Sequence, residues 1–290
     1  MIELLVPSKT FLVGEYAVLQ GAPALVAATN PCFRFRAEKT SEEQKSLFHP
    51  DSAASRWFRQ SEILLKKWKV NFEDPHQGAG GFGASGAQFV FYHALSTYLQ
   101  SQKLCDDVND VWQDYKACET TKASGADVVA QTLGGIVHLT QEPFEAKSYD
   151  WPFDETDFVI IRTGQKIDTH THLKQGLPSL EGVVAGAKLS TEAFFMSNVE
   201  AFASGLAITQ KELTKAGLQA ETTLAILEKL NAAPGVLVTK GCGAMGADTV
   251  LAIIDNEYRT EFFHALRELK LHPIATSLDL VHETKLKIEP

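Results

Sequence analysis

The chain has 290 residues, 44% of them hydrophobic and 22% charged, and its formal net charge is −9. This length suffices for two domains with a sizeable core, and the composition is typical of a globular protein in water. Because nucleic-acid binding needs a basic face that displaces counterions, the acidic total argues against a nucleic-acid partner, although a local group of cations and helix N-termini can still bind an anionic substrate.

The cysteines and the N-terminus bear on the compartment. The four cysteines are Cys32, Cys105, Cys118 and Cys242, and none forms a CxxC pair. This spacing favours free thiols in a reducing compartment over a zinc site or a disulfide framework. The N-terminus lacks a basic segment followed by a long apolar stretch, and no apolar run is long enough to cross a bilayer. We therefore expect a cytoplasmic protein with no membrane partner, either a monomer or a homodimer.

The first half of the chain predicts strands mixed with helices that follow glycine-rich turns. Strands are expected over 2–6, 10–13, 24–28 and 136–140, and helices over 55–69, 85–99, 107–118 and directly after 124–127. The segment Ser85–Leu99 is apolar on most faces, which is typical of a buried helix. In 107–118 the apolar residues recur at helical spacing.

The second half follows a segment rich in Pro, Asp and aromatic residues at 151–157, which predicts a boundary between domains of residues 1–152 and 153–290. Strands are expected over 158–162, 236–239 and 249–254 and in two final runs, helices up to about 231 and over 257–270, and a loop over 163–172. Strands and helices do not alternate as regular βαβ units, so the predicted fold class is α+β.

Three glycine-rich turns stand out, at 78–83, 124–127 and 241–247. Such turns bind phosphate when they open a helix, because the backbone can approach closely and the helix start offers unpaired N–H groups. Gly78-x-Gly80-x-x-Gly83 fits the dinucleotide fingerprint formally, but no clear strand precedes it, and we reject that interpretation. The sequence has no GxxxxGK[ST] motif, which excludes a P-loop. Taken singly, each could be only a turn.

With a fourth segment, Pro7–Ala24, these turns resemble the motifs of the GHMP kinases, the superfamily of galactokinase, homoserine kinase, mevalonate kinase and phosphomevalonate kinase. Pro7–Ala24 resembles the opening motif, Gly81–Ala87 the Gly-Leu-Gly-Ser-Ser-x-Ala turn, and Lys240–Ala247 the Lys-x-Ser-Gly-Ala-Gly-Gly-Gly turn. The resemblance implies an N-terminal lobe of the ribosomal S5 domain-2 type, a ferredoxin-like C-terminal lobe, and one cleft that all three glycine turns face.

Local details resemble phosphomevalonate kinases more than mevalonate kinases. They are Gly-Glu-Tyr at 14–16, the segment Lys122–Ala130, the segment 163–166 followed by Thr169 and Thr171, and Asp248 after the third turn. The chain also departs from the family pattern. Ser8 replaces a usual Gly, Ala84 and Cys242 each replace a Ser, and Met245 replaces a Gly.

The resemblance implies roles for the second motif. Phosphoryl transfer requires that the phosphates are held, their charge is neutralised and the acceptor hydroxyl is aligned. The residues expected to bind ATP are Gly81, Gly83, Ala84, Ser85, Gly86 and Ala87. Ser85 could also place its hydroxyl on Mg²⁺. The alternative role is an N-cap, since Ser is a favoured capping residue, and both roles could hold together.

The resemblance also implies that Asp127 is the catalytic base and that Lys9 supports the negative charge beside it. On spacing alone, Asp127 would be an acid in the first turn of a helix, where the dipole favours it. Glu119 is a candidate metal ligand or a surface carboxylate. The expected substrate-binding residues are Glu15, Tyr16, Ser124, Gly125, Thr163, Gly164, Lys166, Gly243 and Ala244.

Some charged residues of the second half have no settled role. Arg162 and Lys166 could oppose a substrate phosphate or carboxylate, or lie solvated on the surface. His170 and His172 have no apparent third metal ligand, and we interpret them as polar residues of a loop or a helix start.

The leading hypothesis is an ATP- and Mg²⁺-dependent kinase that converts phosphomevalonate to diphosphomevalonate. Mevalonate kinase or another small-alcohol kinase of the same fold is the alternative, and a related decarboxylase is a further one. A catalytically silent protein that binds a nucleotide or a partner is favoured by Ala84 and Met245, whereas Lys9 and Asp127 argue against it.

Overall fold

The protein is described from a computed structural model that covers residues 1–105, 107–120, 122–164 and 180–288, with only the backbone of Ala244. Its described part contains two antiparallel sheets, one of six strands and one of four, and helices pack on both. The α+β class is thereby confirmed. Within the described ranges, no helix is both long and apolar enough to cross a membrane.

The first sheet contains β1 (Ile2–Val13), β2 (Ala24–Lys39), β3 (Trp68–Glu73), β4 (Ile136–Gln141), β5 (Phe144–Tyr149) and β10 (Lys285–Ile288). Its order is β10-β1-β2-β4-β5, and β3 pairs with the distal half of β2. The predicted strands 2–6 and 10–13 are one continuous strand with an irregularity near Pro7. The hairpin partner β5 was not predicted, because its alternation of half-buried and exposed residues is short and weakly apolar.

Five helices accompany this sheet: α1 (Ala53–Gln60), α2 (Glu62–Leu65), α3 (Ala84–Ser101), α4 (Val108–Cys118) and α5 (Ala126–Leu133). The buried helix predicted over 85–99 is α3, which has apolar residues on most faces and lies in the core. Helix α4 begins where predicted, since the Asp107 carboxylate accepts a hydrogen bond from the Asn109 N–H.

The single helix predicted over 55–69 is wrong at its C-terminal end. Helices α1 and α2 end by Leu65, and Trp68 begins β3 instead. Successive β3 residues are alternately half-buried and exposed, and Trp68 pairs with Lys39 of β2. Pairing with the long second strand therefore decides this segment, and that contact is non-local and invisible to a helical pattern.

The second sheet contains β6 (Thr156–Arg162), β7 (Val236–Cys242), β8 (Thr249–Asp255) and β9 (His272–Thr276) in the order β7-β8-β6-β9. Helices α6 (Glu181–Phe195), α7 (Val199–Lys215) and α8 (Glu221–Asn231) lie between β6 and β7 in the chain, and α9 (Arg259–Glu268) lies between β8 and β9. This β-α-β-β-α-β order is the ferredoxin-like arrangement. The third glycine turn lies between β7, an edge strand, and β8, a central strand of this sheet.

A single apolar cluster extends from the first sheet into the helices and inner face of the second, joining Leu4 and Phe91 to Phe158 and Phe202. Strand β10 returns to the first sheet and pairs with β1. The division into domains of residues 1–152 and 153–290 therefore stays a prediction. Strand β10, which belongs to residues 153–290, lies beside β1 in the first sheet. The two lobes named below are each sheet with its helices.

Candidate functional site

Residues from both lobes line one cavity of about 420 Å³. Its polar and glycine lining residues are Lys9, Glu15, Tyr16, Gly80, Gly81, Gly83, Ser85, Tyr115, Glu119, Lys122, Ser124, Asp127, Gly243 and Asp248, with Ala84 beside them. All three glycine turns therefore contribute to a single cavity, as predicted. A wider cleft of about 750 Å³ around Asn30–Cys32 and Asp74 contains none of the predicted catalytic residues.

The turn before α3 is held by its backbone. Gly81 and Gly83 have φ angles of 86° and 85°, which glycine adopts without strain. The Lys9 N–H donates to the Phe82 carbonyl at 3.0 Å, which fastens the turn to β1. The buried Gln131 amide donates to the carbonyls of Gly83 at 3.1 Å and Pro7 at 2.9 Å, so α5 holds the same turn. Hydrogen bonds from β1 and α5 therefore hold the backbone of this turn.

Two glycines let the start of α3 lie against the predicted catalytic side chains. A β-carbon on Gly83 would come within 2.7 Å of Lys9 Cγ. A β-carbon on Gly86 would come within 3.2 Å of Asp127 Oδ2. The free N–H groups and positive end of the α3 dipole thus lie next to Lys9 and Asp127, an arrangement suited to an anion.

We expect Gly83→Ala to weaken binding of a phosphate-bearing ligand about tenfold or more, because the new methyl group must displace Lys9 or the turn. Gly78→Ala is the matched control: its φ of 81° carries a similar strain of about 1–2 kcal/mol, but nothing lies within 4 Å of a β-carbon there. Calorimetric titration with a nucleotide, alongside thermal melting, separates the two effects. Equal loss of affinity in both variants would assign the result to backbone strain alone.

Asp127 lies in the first turn of α5, behind the second glycine turn. Gly125 precedes this helix with a φ of 72°, and a β-carbon there would collide with Trp112 of α4. The Trp112 indole N–H donates to the Ser124 carbonyl at 2.8 Å. The turn is therefore held from α4, and Asp127 is only half-buried, facing the cavity.

Glu119 and Asp127 both lie near Tyr115 and line the cavity. Burial, followed by the charges of Asp127 and Glu119, raises the pKa of the Tyr115 hydroxyl well above its usual value. Among the described residues, no group of three His, Cys, Asp or Glu side chains forms a complete metal site. Magnesium in nucleotide sites is usually held by only one or two carboxylates together with phosphates and water. Ser85 and Glu119 both line the cavity, and their role as Mg²⁺ ligands stays a prediction.

An ion pair joins the first motif to the third. Lys240 of β7 is fully buried and pairs with Glu15, which is 6% exposed. The Cys242 thiol lies 3.3 Å from the same ammonium group. Burial raises the pKa of Cys242 to about 12, so the thiol is uncharged and Glu15 is the anion that neutralises Lys240. One oxygen of Glu15 is thereby engaged by the protein, although the residue lines the cavity.

A second contact between the lobes involves two residues with strained backbones. Tyr16 and Met245 have φ angles of 59° and 54°, which side chains rarely adopt. The Met245 N–H donates to the Tyr16 hydroxyl at 3.0 Å. Burial raises the pKa of that hydroxyl, which therefore stays protonated. Met245 occupies the left-handed conformation that a Gly adopts without strain.

Asp248 follows the third glycine turn and closes the cavity. It packs against Gly81 and Gly243, so that a β-carbon on either glycine would overlap its side chain. The Thr163 hydroxyl lies within hydrogen-bond distance of the Ala247 and Asp248 carbonyl oxygens, to which it is the donor. Thr163 therefore holds this turn by its backbone and does not itself line the cavity. Gly164 is exposed, and Lys166, Thr169, His170, Thr171 and His172 lie outside the described residues.

Several residues of the site had no signal in the sequence. Gln131 and Tyr115 contribute through contacts between helices, and the side chains of Phe11, Val18 and Leu19 form an apolar wall of the cavity. Gly86 and Ala87, which were predicted to bind ATP, are buried in the first turn of α3 and do not line the cavity. Gly125 lies in the second glycine turn, also outside the lining, and Ala244 lies in the third turn. Arg162 is half-buried and outside the cavity lining.

No protein-family model and no curated protein sequence matches the chain. Solved structures do match. Phosphomevalonate kinase from Streptococcus pneumoniae, in complex with phosphomevalonate and AMPPNP, superposes with a TM-score of 0.77 at 17% identity, over 95% of this chain and 99% of that one. Mevalonate kinase from Methanococcus jannaschii gives 0.75 at 18%, over 95% and 97%.

Galactokinase from Lactococcus lactis, complexed with galactose, gives a TM-score of 0.76 at 12% identity, over 99% of this chain and 95% of that one. At these identities the similarity establishes the fold. The chain has the GHMP kinase fold, and the resemblance inferred from its motifs is confirmed at that level. Within this fold, its similar structures include phosphomevalonate, mevalonate, galactose and homoserine kinases.

Proposed function

We propose that the protein is an ATP-dependent kinase of a small molecule and that phosphomevalonate is its acceptor. The observation that supports this most is the position of Lys9 and Asp127 in one cavity with the glycine turn before α3. These residues come from β1, α5 and the intervening loop, which are far apart in the chain. Such a constellation offers a cation, a base and an anion-binding helix start within one cavity.

In this proposal each group has one task. The N–H groups at the start of α3 bind the nucleotide phosphates, and Lys9 neutralises charge on the transferring phosphoryl group. Ser85 and Glu119 would hold Mg²⁺, which when bound neutralises phosphate charge. Asp127 accepts the proton of the acceptor hydroxyl, so that the oxygen can attack phosphorus. The protein thus contributes mainly position and electrostatics.

The acceptor assignment rests on fewer residues. Tyr16, Lys122 and Asp248 line the cavity and match the phosphomevalonate kinase pattern in the sequence. Lys9 and Lys122 are lysines of the cavity lining. The charge of the Glu15 carboxylate, which also lines the cavity, is neutralised by Lys240. A phosphorylated acceptor could therefore bind near Lys122. Mevalonate, or another small alcohol of this kinase class, is the second candidate, because the neighbouring structures include kinases of unphosphorylated alcohols.

We expect ADP formation to be stimulated by phosphomevalonate more than by mevalonate, galactose or homoserine, in the presence of ATP and Mg²⁺. Product masses should show the gain of one phosphate without loss of carbon dioxide, which separates a kinase from a decarboxylase. Diphosphomevalonate belongs in the panel for the same reason. Equal or better turnover of mevalonate would assign the protein to the second candidate.

Absence of stimulation by every acceptor, with retained nucleotide binding, would contradict the kinase proposal and favour a silent nucleotide-binding protein. Lys122→Met tests the acceptor assignment within the same assay. If Lys122 binds the acceptor phosphate, this variant should raise KM for phosphomevalonate and leave KM for ATP unchanged.

A further inference from the structure

His76 is a buried titratable residue that the proposed mechanism does not use. It lies in the segment between β3 and α3 and is 3% exposed. Its imidazole stacks on Phe82, with ring centroids 3.8 Å apart and planes within 7°. Its Nε2 lies 2.6 Å from the Ser8 hydroxyl. Both contacts lead to the phosphate-binding turn: Phe82 belongs to it, and Ser8 precedes Lys9.

The hydrogen bonds define the state of this imidazole. The Ser8 hydroxyl donates its only proton to the Pro31 carbonyl at 2.7 Å. It must therefore accept from His76, which carries a proton on Nε2. Burial lowers the pKa of His76 to about 4, and the nearby Arg162 adds to this, while Asp74 opposes it. The ring is thus neutral near pH 7 and fits between Phe82 and Phe33, whose centroid lies 5.6 Å away.

Phe82 is the residue of this turn whose side chain can pack against neighbouring side chains. Its neighbours Gly80, Gly81 and Gly83 have no side chains, so the backbone of a free turn would sample many conformations. The Phe82 carbonyl is fixed by the Lys9 N–H, and its ring is fixed by His76.

We propose that His76 is a positioning residue: stacked on Phe82 and bonded to Ser8, it keeps the turn before α3 in the conformation that binds the nucleotide phosphates. The role rests on the proposed function, since it concerns the same nucleotide. If loss of the ring leaves the turn competent about one tenth of the time, the apparent affinity falls about tenfold. Chemistry on the bound acceptor is not directly affected.

The test measures Kd for AMPPNP with Mg²⁺ by calorimetry on the full chain, and unfolding by denaturant on the same samples. His76→Gln keeps an N–H donor for Ser8 but removes the ring, and should raise Kd about tenfold. His76→Phe keeps the stacked ring and should restore Kd to within about threefold of the unmodified protein. Phe82→Leu removes the ring from the other side and should also raise Kd about tenfold, which keeps the test available if His76→Gln does not fold.

His93→Gln is the matched control. His93 is also buried, at 4% exposure, and lies in the same lobe, where it packs on Trp57. Its imidazole forms a hydrogen bond with Asp114, which does not line the cavity. We expect it to lower stability and leave Kd unchanged. The inference is overturned if His76→Gln and Phe82→Leu bind AMPPNP like the unmodified protein, if His76→Phe binds no better than His76→Gln, or if His93→Gln loses as much affinity.

Failure of the proposed function has a different signature. If the unmodified protein binds AMPPNP but phosphorylates no acceptor, the kinase proposal fails, while the order of Kd values among the variants still supports or overturns the role of His76. If the unmodified protein binds no AMPPNP, both the kinase proposal and this role are overturned.

Discussion

Asp127→Asn should lower kcat by about 10²–10⁴-fold and leave the affinity for nucleotide almost unchanged, because general-base catalysis is typically worth that much. The substitution keeps the volume of the side chain and removes its ability to accept the hydroxyl proton. Asp127 lines the cavity beside Gly86 and the glycine turn, so it is placed to contact an acceptor bound there. Single-turnover measurements with ATP, Mg²⁺ and the best acceptor would give the rate of the chemical step.

The structural alternative makes the opposite prediction. Asn is acceptable near a helix N-terminus, so if Asp127 only stabilises the start of α5, Asp127→Asn would cost at most about 1 kcal/mol of stability and little activity. Near-normal turnover in a variant that melts normally would remove Asp127 from the mechanism. Lys9→Met should also slow turnover, and because the two groups act on one transfer, the double variant should be only slightly slower than the slower single one.

The glycine turns and the helices they open could be predicted from the sequence because their signals are local. Each consists of consecutive residues whose backbone needs are visible in the amino acids themselves, such as the positive φ of Gly81, Gly83 and Gly125. The buried helix α3 follows from its uniform apolarity. That all three turns meet in one cavity followed from the family resemblance and not from any spacing in the chain.

The contacts that hold the site could not be predicted, because they join residues far apart. Gln131 bonds Pro7 and Gly83, His76 bonds Ser8, and Lys240 pairs with Glu15. No periodicity or motif links such partners. The same reason accounts for the error at Trp68, where pairing with β2 overrides a helical pattern.

The departures from the family pattern have different structural consequences. Ser8 is bonded to His76 and Pro31, and Cys242 lies beside the Lys240 ammonium group as an uncharged thiol. Met245 adopts the left-handed backbone of the Gly it replaces. Ala84 lines the cavity but has no hydroxyl group. At the start of α3, the hydroxyl group that lines the cavity therefore belongs to Ser85. None of these residues obstructs the positions of Lys9 and Asp127, which argues against reading the departures as loss of the site.

Lys240→Met should lower the free energy of unfolding by about 3–5 kcal/mol, because it leaves the Glu15 carboxylate buried without its cation. Lys240 is fully buried and Glu15 nearly so, and the uncharged Cys242 thiol cannot replace the lost charge. Denaturant unfolding at pH 7 measures the effect. Lys66→Met, which removes an exposed ion pair with Glu43, is the control and should change stability little.

Glu15→Leu combined with Lys240→Met distinguishes a broken ion pair from lost packing. If the unpaired carboxylate causes the instability, the double variant should recover much of the loss, since an apolar pair of similar volume can replace a buried ion pair at little cost. If the double variant is as unstable as Lys240→Met alone, the cause is the lost packing of the lysine stem against the side chains around it. Because Glu15 belongs to the first motif and Lys240 to the third, recovery in the double variant would attribute the instability at this contact between the lobes to the unpaired charge.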